Sequence, residues 1–171
     1  APSFEDKLHI FWTKNGTAVL ALCGLVAAGI LANGAWGYLQ AQKELEVQKA
    51  YAASTTSDQL KSFAAAHADH SLAGIAQLRL ADEAYTAGKS ADALVGYDKV
   101  VTILKTGPLV ARAQLGRALA KVQAGKGTEA ITDLRQLAGD AAQSKGARAE
   151  AAYHLTSLAA EAANEIGRAH V

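Results

Sequence analysis

The sequence predicts an all-α protein in which a single N-terminal transmembrane helix precedes a short array of paired soluble helices. Three observations carry that expectation. Half of the residues are hydrophobic, but 40 of the 171 are Ala, and they are mixed with Leu, Lys, Arg, Glu and Gln, all good helix formers. One uncharged stretch near the start is long enough to cross a bilayer. Beyond it, Gly closes successive helical stretches and a spacing of small and large residues recurs. Two Pro, three Phe and 19% charged residues argue against both a disordered chain and a turn-rich β-sandwich. A single Cys excludes an intramolecular disulfide framework and a Cys-based zinc cluster. A net charge of +1 lends no support to nucleic-acid binding, which shows a clustered basic face.

Residues 1–16 form a short arm. Between Lys14 and Lys43 no residue is charged, and the centre of this stretch, residues 17–39, reads TAVLALCGLVAAGILANGAWGYL. At 1.5 Å per residue it spans about 35 Å, enough for a hydrocarbon core of about 30 Å. Phe11 and Trp12 lie at one end, Trp36 and Tyr38 at the other. Trp12, Trp36 and Tyr38 are the expected membrane-interface residues, since aromatic belts favour both headgroup levels. The rival readings are a cleaved signal peptide, with Ala32-Asn33-Gly34 as its cleavage site, and a buried core helix. The apolar run continues past that site into the second aromatic pair, which favours the anchor. Lys7 and Lys14 before the span balance Lys43 and Lys49 after it, so charge alone leaves the orientation open. Ala21, Gly24, Ala28, Ala32 and Ala35 make a small-residue seam of the kind that lets helices approach, although an Ala-rich helix shows such a seam by default. Cys23 falls at membrane depth and reads as a small apolar filler.

Residues 40–70 are expected as a helical juxtamembrane linker, continuing the membrane helix to Ala53, and a short helix over 58–67 capped by Ser57. Ser71 caps a helix over 71–87 that stops at Gly88. Ser90 opens another, which ends before Gly107-Pro108. A helix over 109–124 stops at Gly125. Thr128 caps one that ends near Gly139, and a last helix covers 147–164.

Gly88, Ala93 and Tyr97 in GKSADALVGYDKVV are matched by Gly125, Ala130 and Leu134 in GKGTEAITDLRQL. In both, a turn glycine is followed five residues on by a small Ala and four further on by a large apolar residue. Each glycine follows an amphipathic helix, LAGIAQLRLADEAYTA or LVARAQLGRALAKVQA. This is the pattern of a degenerate tetratricopeptide repeat. The glycines stand 37 residues apart against roughly 34 in that repeat, which places an insertion at Gly107-Pro108. Residues 71–164 are therefore expected to be tetratricopeptide-like, with the last unit incomplete.

With these stretches in place, the chain resembles the ancillary SecYEG translocon subunit family (the YfgM type). FWTKNG, QLKSFAAAHADHSLAGIAQLRLADEAYTAGKSADAL and AITDLRQL carry the likeness, which covers most of residues 9–138. The resemblance implies a single-pass protein of the bacterial inner membrane, its amino terminus cytoplasmic and its repeat domain periplasmic. It further implies association with translocon subunits and a periplasmic chaperone, and contact with exported polypeptides. The chain departs from the family at its end, where ARAEAAYHLTSLAAEAAN looks like a first helix without its partner. The closing EIGRAHV is what a translated sequencing adapter would read, so residues 165–171 are expected to be a non-native tail. No Met opens the chain, and an internal fragment is the expectation.

No catalytic constellation is legible. His67 and His70, with Asp69, begin a metal site by spacing but lack a third ligand, and a solvated turn is the simpler account. Glu150 and His154, four apart, fit a surface ion pair. No phosphate loop, nucleophile elbow or HExxH motif is present. On a helical wheel Arg79, Asp82 and Glu83 face away from Leu78, Leu80, Ala81, Ala84 and Tyr85. Gln114, Arg117 and Lys121 form a stripe beside Leu115, Ala118, Leu119 and Val122. Arg79, Asp82, Glu83, Gln114, Arg117 and Lys121 are thus the expected lining of a partner-binding groove, with an ordinary solvated face as the plainer alternative. The expected function is a non-enzymatic, membrane-anchored interaction module without cofactor, metal, nucleic acid or small-molecule substrate, aiding export or chaperone hand-off. The alternative is a scaffold docking one dedicated partner; an enzyme subunit is disfavoured.

Overall fold

The computed structural model describes residues 4–169 and, among these, the side chains of residues 4–6 and 9–161. The described residues form seven α-helices and no strand. The chain divides into two units, Ala1–Val47 and Gln48–Val171.

Helix α1 (Phe4–Ala53) fills the first unit, and its last turns belong to the second. No Pro interrupts it, since the two in the chain are Pro2 and Pro108. Glu5 and Asp6 in its first turn complement the positive end of the helix dipole. The described part of the expected arm is already helical, and the span and the stretch after it are the same helix. Leu20, Leu22, Leu25, Val26, Ile30 and Leu31 are all exposed. The core helix of a soluble protein would bury such side chains; this helix is long and apolar enough to cross a membrane, and its apolar window is unburied.

The second unit holds α2 (Ser57–Ala66), α3 (Ser71–Thr86), α4 (Ser90–Leu104), α5 (Pro108–Gln123), α6 (Gly127–Gly139) and α7 (Lys145–Ala169). Each packs on its successor. In addition α3 touches α5 and α5 touches α7, whereas α4 and α6 make no such contact among the described residues. Helix α5 is therefore buried on two faces. Ala113 and Ala120 join Leu78, Ala81, Ala93, Tyr97 and Val100 in one core, while Ala111, Leu115 and Ala118 join Leu134, Leu137 and Ala151 in the other.

The abundance of Ala and Gly is explained by how closely the helices approach. A Cβ on Gly96 would lie 2.7 Å from that of Ala81, and one on Gly116 would lie 2.5 Å from Cζ of Tyr97. Larger residues would force the helices apart, and close packing would be lost.

The hairpins α3–α4 and α5–α6 close on the same turn. Gly88 and Gly125 both adopt φ +74°, the left-handed region that glycine enters at little cost. Gly88 donates to the Tyr85 carbonyl and Lys89 to that of Ala84; Gly125 donates to Val122 and Lys126 to Lys121. Each is a Schellman motif, which satisfies the last carbonyls of the first helix. The α4–α5 link differs, with Lys105 at φ 60° and Gly107 at φ 102°, at the junction where the repeat spacing placed an insertion.

Several expected caps shift by one residue. Thr56, not Ser57, caps α2, because its hydroxyl accepts from Gln59 N while the Gln59 side chain accepts from Thr56 N. His70, not Ser71, caps α3 through Nδ1, which accepts from Leu72 N. Lys89 and Lys126 occupy the N-cap positions of α4 and α6 without a side-chain cap, and Thr128 lies inside α6. The Schellman turns deliver the chain straight into these second helices. Helix α7 begins at Lys145, two residues early, where Ser144 Oγ accepts from Ala147 N. It runs through residues 165–169 of the expected tail; His170 and Val171 lie outside the described residues.

Candidate functional site

Four of the six residues expected to line a groove direct their charges into the fold. Asp82 on α3 accepts from the Tyr97 hydroxyl of α4 at 2.8 Å and from Arg112 Nη2 of α5 at 2.6 Å, joining three helices. Burial, and then the hydrogen bond to Asp82, push the Tyr97 phenol well above its ordinary pKa. Glu83 accepts from Ser57 Oγ at 2.8 and 2.6 Å and so ties α3 to α2. Arg117 reaches Asp98 on α4 at 3.0 Å and Asp133 on α6 at 3.5 Å. Lys121 pairs with the same Asp133 at 2.8 Å and with Glu129 at 3.5 Å. With side chains 28% and 19% exposed, Arg117 and Lys121 fill the space left between α4 and α6. Arg79 is exposed and forms no ion pair among the described residues, and Gln114 is half-buried.

A trough of about 360 Å³ opens between α3, α5 and α7. Its apolar floor is Tyr85, Leu119, Val122 and Leu158; Gln123, His154, Ser157 and Glu161 form its polar margin. Arg117 and Leu119 are two residues apart, hence about 160° around the helix from one another. The trough and the basic stripe thus lie on opposite sides of α5. A smaller hollow of about 200 Å³ follows the same α5–α7 seam between Pro108, Ala111 and Leu115 on one side and Ser144, Ala147 and Glu150 on the other.

Helical periodicity put Tyr85, Leu119 and Val122 on apolar faces but gave them no separate role. One signal was available. The apolar arc of α5 extends from buried Leu115 and Ala118 to Leu119 and Val122, wider than its neighbours cover, and both outer residues remain half-exposed. His154 forms no ion pair with Glu150; its ring meets that of Tyr153 edge-on at 5.5 Å.

Two further imidazoles have local structural roles. His67 ends α2 with its ring 4.7 Å from that of Phe63, and His70 caps α3. Among the described residues no group of His, Cys, Asp or Glu could hold a metal ion. On α1, Trp12, Trp36 and Tyr38 are exposed, the two Trp separated by about 36 Å of helix. In comparisons with known proteins, no family model matches the chain, and no curated protein matches it.

Proposed function

We propose that this chain is a membrane-anchored, tetratricopeptide-like interaction module that holds extended polypeptide segments at the bacterial inner membrane. One observation carries the repeat reading: Gly88, Ala93 and Tyr97 occupy the same turn, close-approach and core positions in one hairpin as Gly125, Ala130 and Leu134 in the next. The two turns share φ and hydrogen-bond pattern, and the four apolar residues are buried. In such arrays the first helices of the pairs line the binding surface. Here these are α3, α5 and α7, the helices around the trough.

Helix α1 supplies the anchor, with Trp12 at one headgroup level and Trp36 and Tyr38 at the other. By resemblance to the ancillary translocon subunits, the amino terminus is cytoplasmic, the repeats are periplasmic, and the partners are the translocon, a chaperone and the chains being exported. Tethering raises the effective concentration at the membrane to about millimolar, so a shallow trough with weak affinity is sufficient.

The test is purification of the full chain from membranes in mild detergent, followed by mass spectrometry. Stoichiometric recovery of translocon subunits supports the reading. Reproducible recovery of one unrelated envelope protein, without translocon subunits, replaces it with a dedicated scaffold.

A further inference from the structure

We infer that the α3–α5–α7 trough selects polypeptide segments by a lysine or arginine side chain, taking its aliphatic stem on the apolar floor and its charge at the margin. This rests on the proposed reading of the trough as a polypeptide site, and adds the chemistry of what is recognised.

Three of the four polar groups around the trough, all but His154, are suited to accept hydrogen bonds. Glu161 contributes a carboxylate that forms no ion pair among the described residues. Ser157 contributes a hydroxyl. The Gln123 amide nitrogen donates to the Tyr85 carbonyl at 3.3 Å, which leaves its oxygen as an acceptor. Among the described residues, no Lys or Arg lines the trough. Lys121, one residue from Val122, is turned to Asp133 and Glu129 on the other side of α5. Lys89 and Lys126, in the turns after α3 and α5, do not line it.

The helix ends add to this polarity. Tyr85 and Thr86 close α3, and Val122 and Gln123 close α5, so the trough meets two helix C-termini. Their dipoles place partial negative charge there, which favours a cation. The floor complements the rest of such a side chain. Leu119, Val122 and Leu158 can cover the methylene stem of Lys or Arg, and the half-buried Tyr85 ring offers a face for the charged head. An acidic segment would meet Glu161 and both helix ends with like charge.

The test uses the full chain in nanodiscs and fluorescein-labelled peptides of one apolar sequence, carrying two lysines, two glutamines or two glutamates. Binding is followed by fluorescence anisotropy at low and high salt. The lysine peptide is expected to bind about fivefold more tightly than the glutamine peptide, the glutamate peptide most weakly, with the difference shrinking in salt. Glu161→Gln should reduce the preference for lysine about two- to fivefold, and Glu161→Lys should abolish it. Glu161 is exposed, so neither change threatens the fold. Equal binding of all three peptides, or a lysine preference that both variants retain, overturns the inference and leaves the polypeptide-binding reading standing. Binding of none of the peptides overturns both.

Discussion

The Tyr97 hydroxyl donates a 2.8 Å hydrogen bond to Asp82, fifteen residues earlier on the neighbouring helix. Tyr97 is 2% exposed, and its ring lies against Gly116 on a third helix, whose Arg112 also grips Asp82. One contact thereby fixes three consecutive helices and supports the layer that surrounds the trough. Tyr97→Phe removes a hydrogen bond to a charged acceptor while preserving the ring. It should cost about 1–2 kcal/mol of stability, read by denaturant unfolding of the full chain in detergent. Combined with Asp82→Asn the losses should be less than additive. Full additivity would mean the two residues act separately.

The glycines separate into crowded and open positions. Gly116→Ala pushes a methyl into the Tyr97 ring and should cost about 1–3 kcal/mol. Gly127, at the start of α6, has open space around a Cβ, and Gly127→Ala should stabilise by about 0.5 kcal/mol by restricting the unfolded chain. Thermal melts of the two variants distinguish the cases. Equal effects would contradict the close approach of α4 and α5.

Alkaline stability should depend on Tyr97. Its phenol is held protonated in the fold above the ordinary value near 10, while in the unfolded chain it ionises at that value. The unfolded state therefore binds fewer protons above about pH 10, and stability falls as pH rises through that window. Below it the contribution is fully present. Melting temperatures from pH 8 to 12 should fall more steeply for the wild type than for Tyr97→Phe. Parallel curves would remove Tyr97 as the cause.

The anchor can be tested by charge. Leu25→Arg with Ile30→Arg places two cations in the apolar stretch, each disfavouring insertion by about 2.5–3.5 kcal/mol near the bilayer centre. Wild-type chain should remain in membranes after carbonate extraction, and the double variant should not. Release of the wild type would eliminate a spanning α1.

The turns and the core of the second unit were legible because their signals are local. A glycine at a helix end and a small residue five positions later depend on neighbours close in sequence, and Gly88, Ala93, Gly125 and Ala130 occupy the positions that spacing assigned to them. The destinations of the charges were not legible. The helical wheel groups Asp82 with Arg79 and Glu83 on the polar side, yet it lies four residues after Leu78 and so only about 40° around the helix from it, at the edge of the buried face. Whether such a residue is solvated depends on Tyr97, which belongs to another helix. Arg117 and Lys121 likewise look like surface residues until α4 and α6 bring Asp98 and Asp133 to them. The trough required a third helix, since only α7 supplies His154, Leu158 and Glu161 to Leu119 and Val122.

The most direct measurement replaces Ser157, at the trough margin, with a photo-crosslinking amino acid in the full chain in living cells, with Arg79 as an exposed comparison site. Adducts are identified by mass spectrometry after irradiation. The expected result is a distribution of exported polypeptides attached at position 157, together with translocon or chaperone subunits, and far fewer adducts at position 79. Adducts at position 157 confined to cytoplasmic proteins, or absent while position 79 is heavily labelled, would contradict a polypeptide-binding trough on the periplasmic side of the membrane.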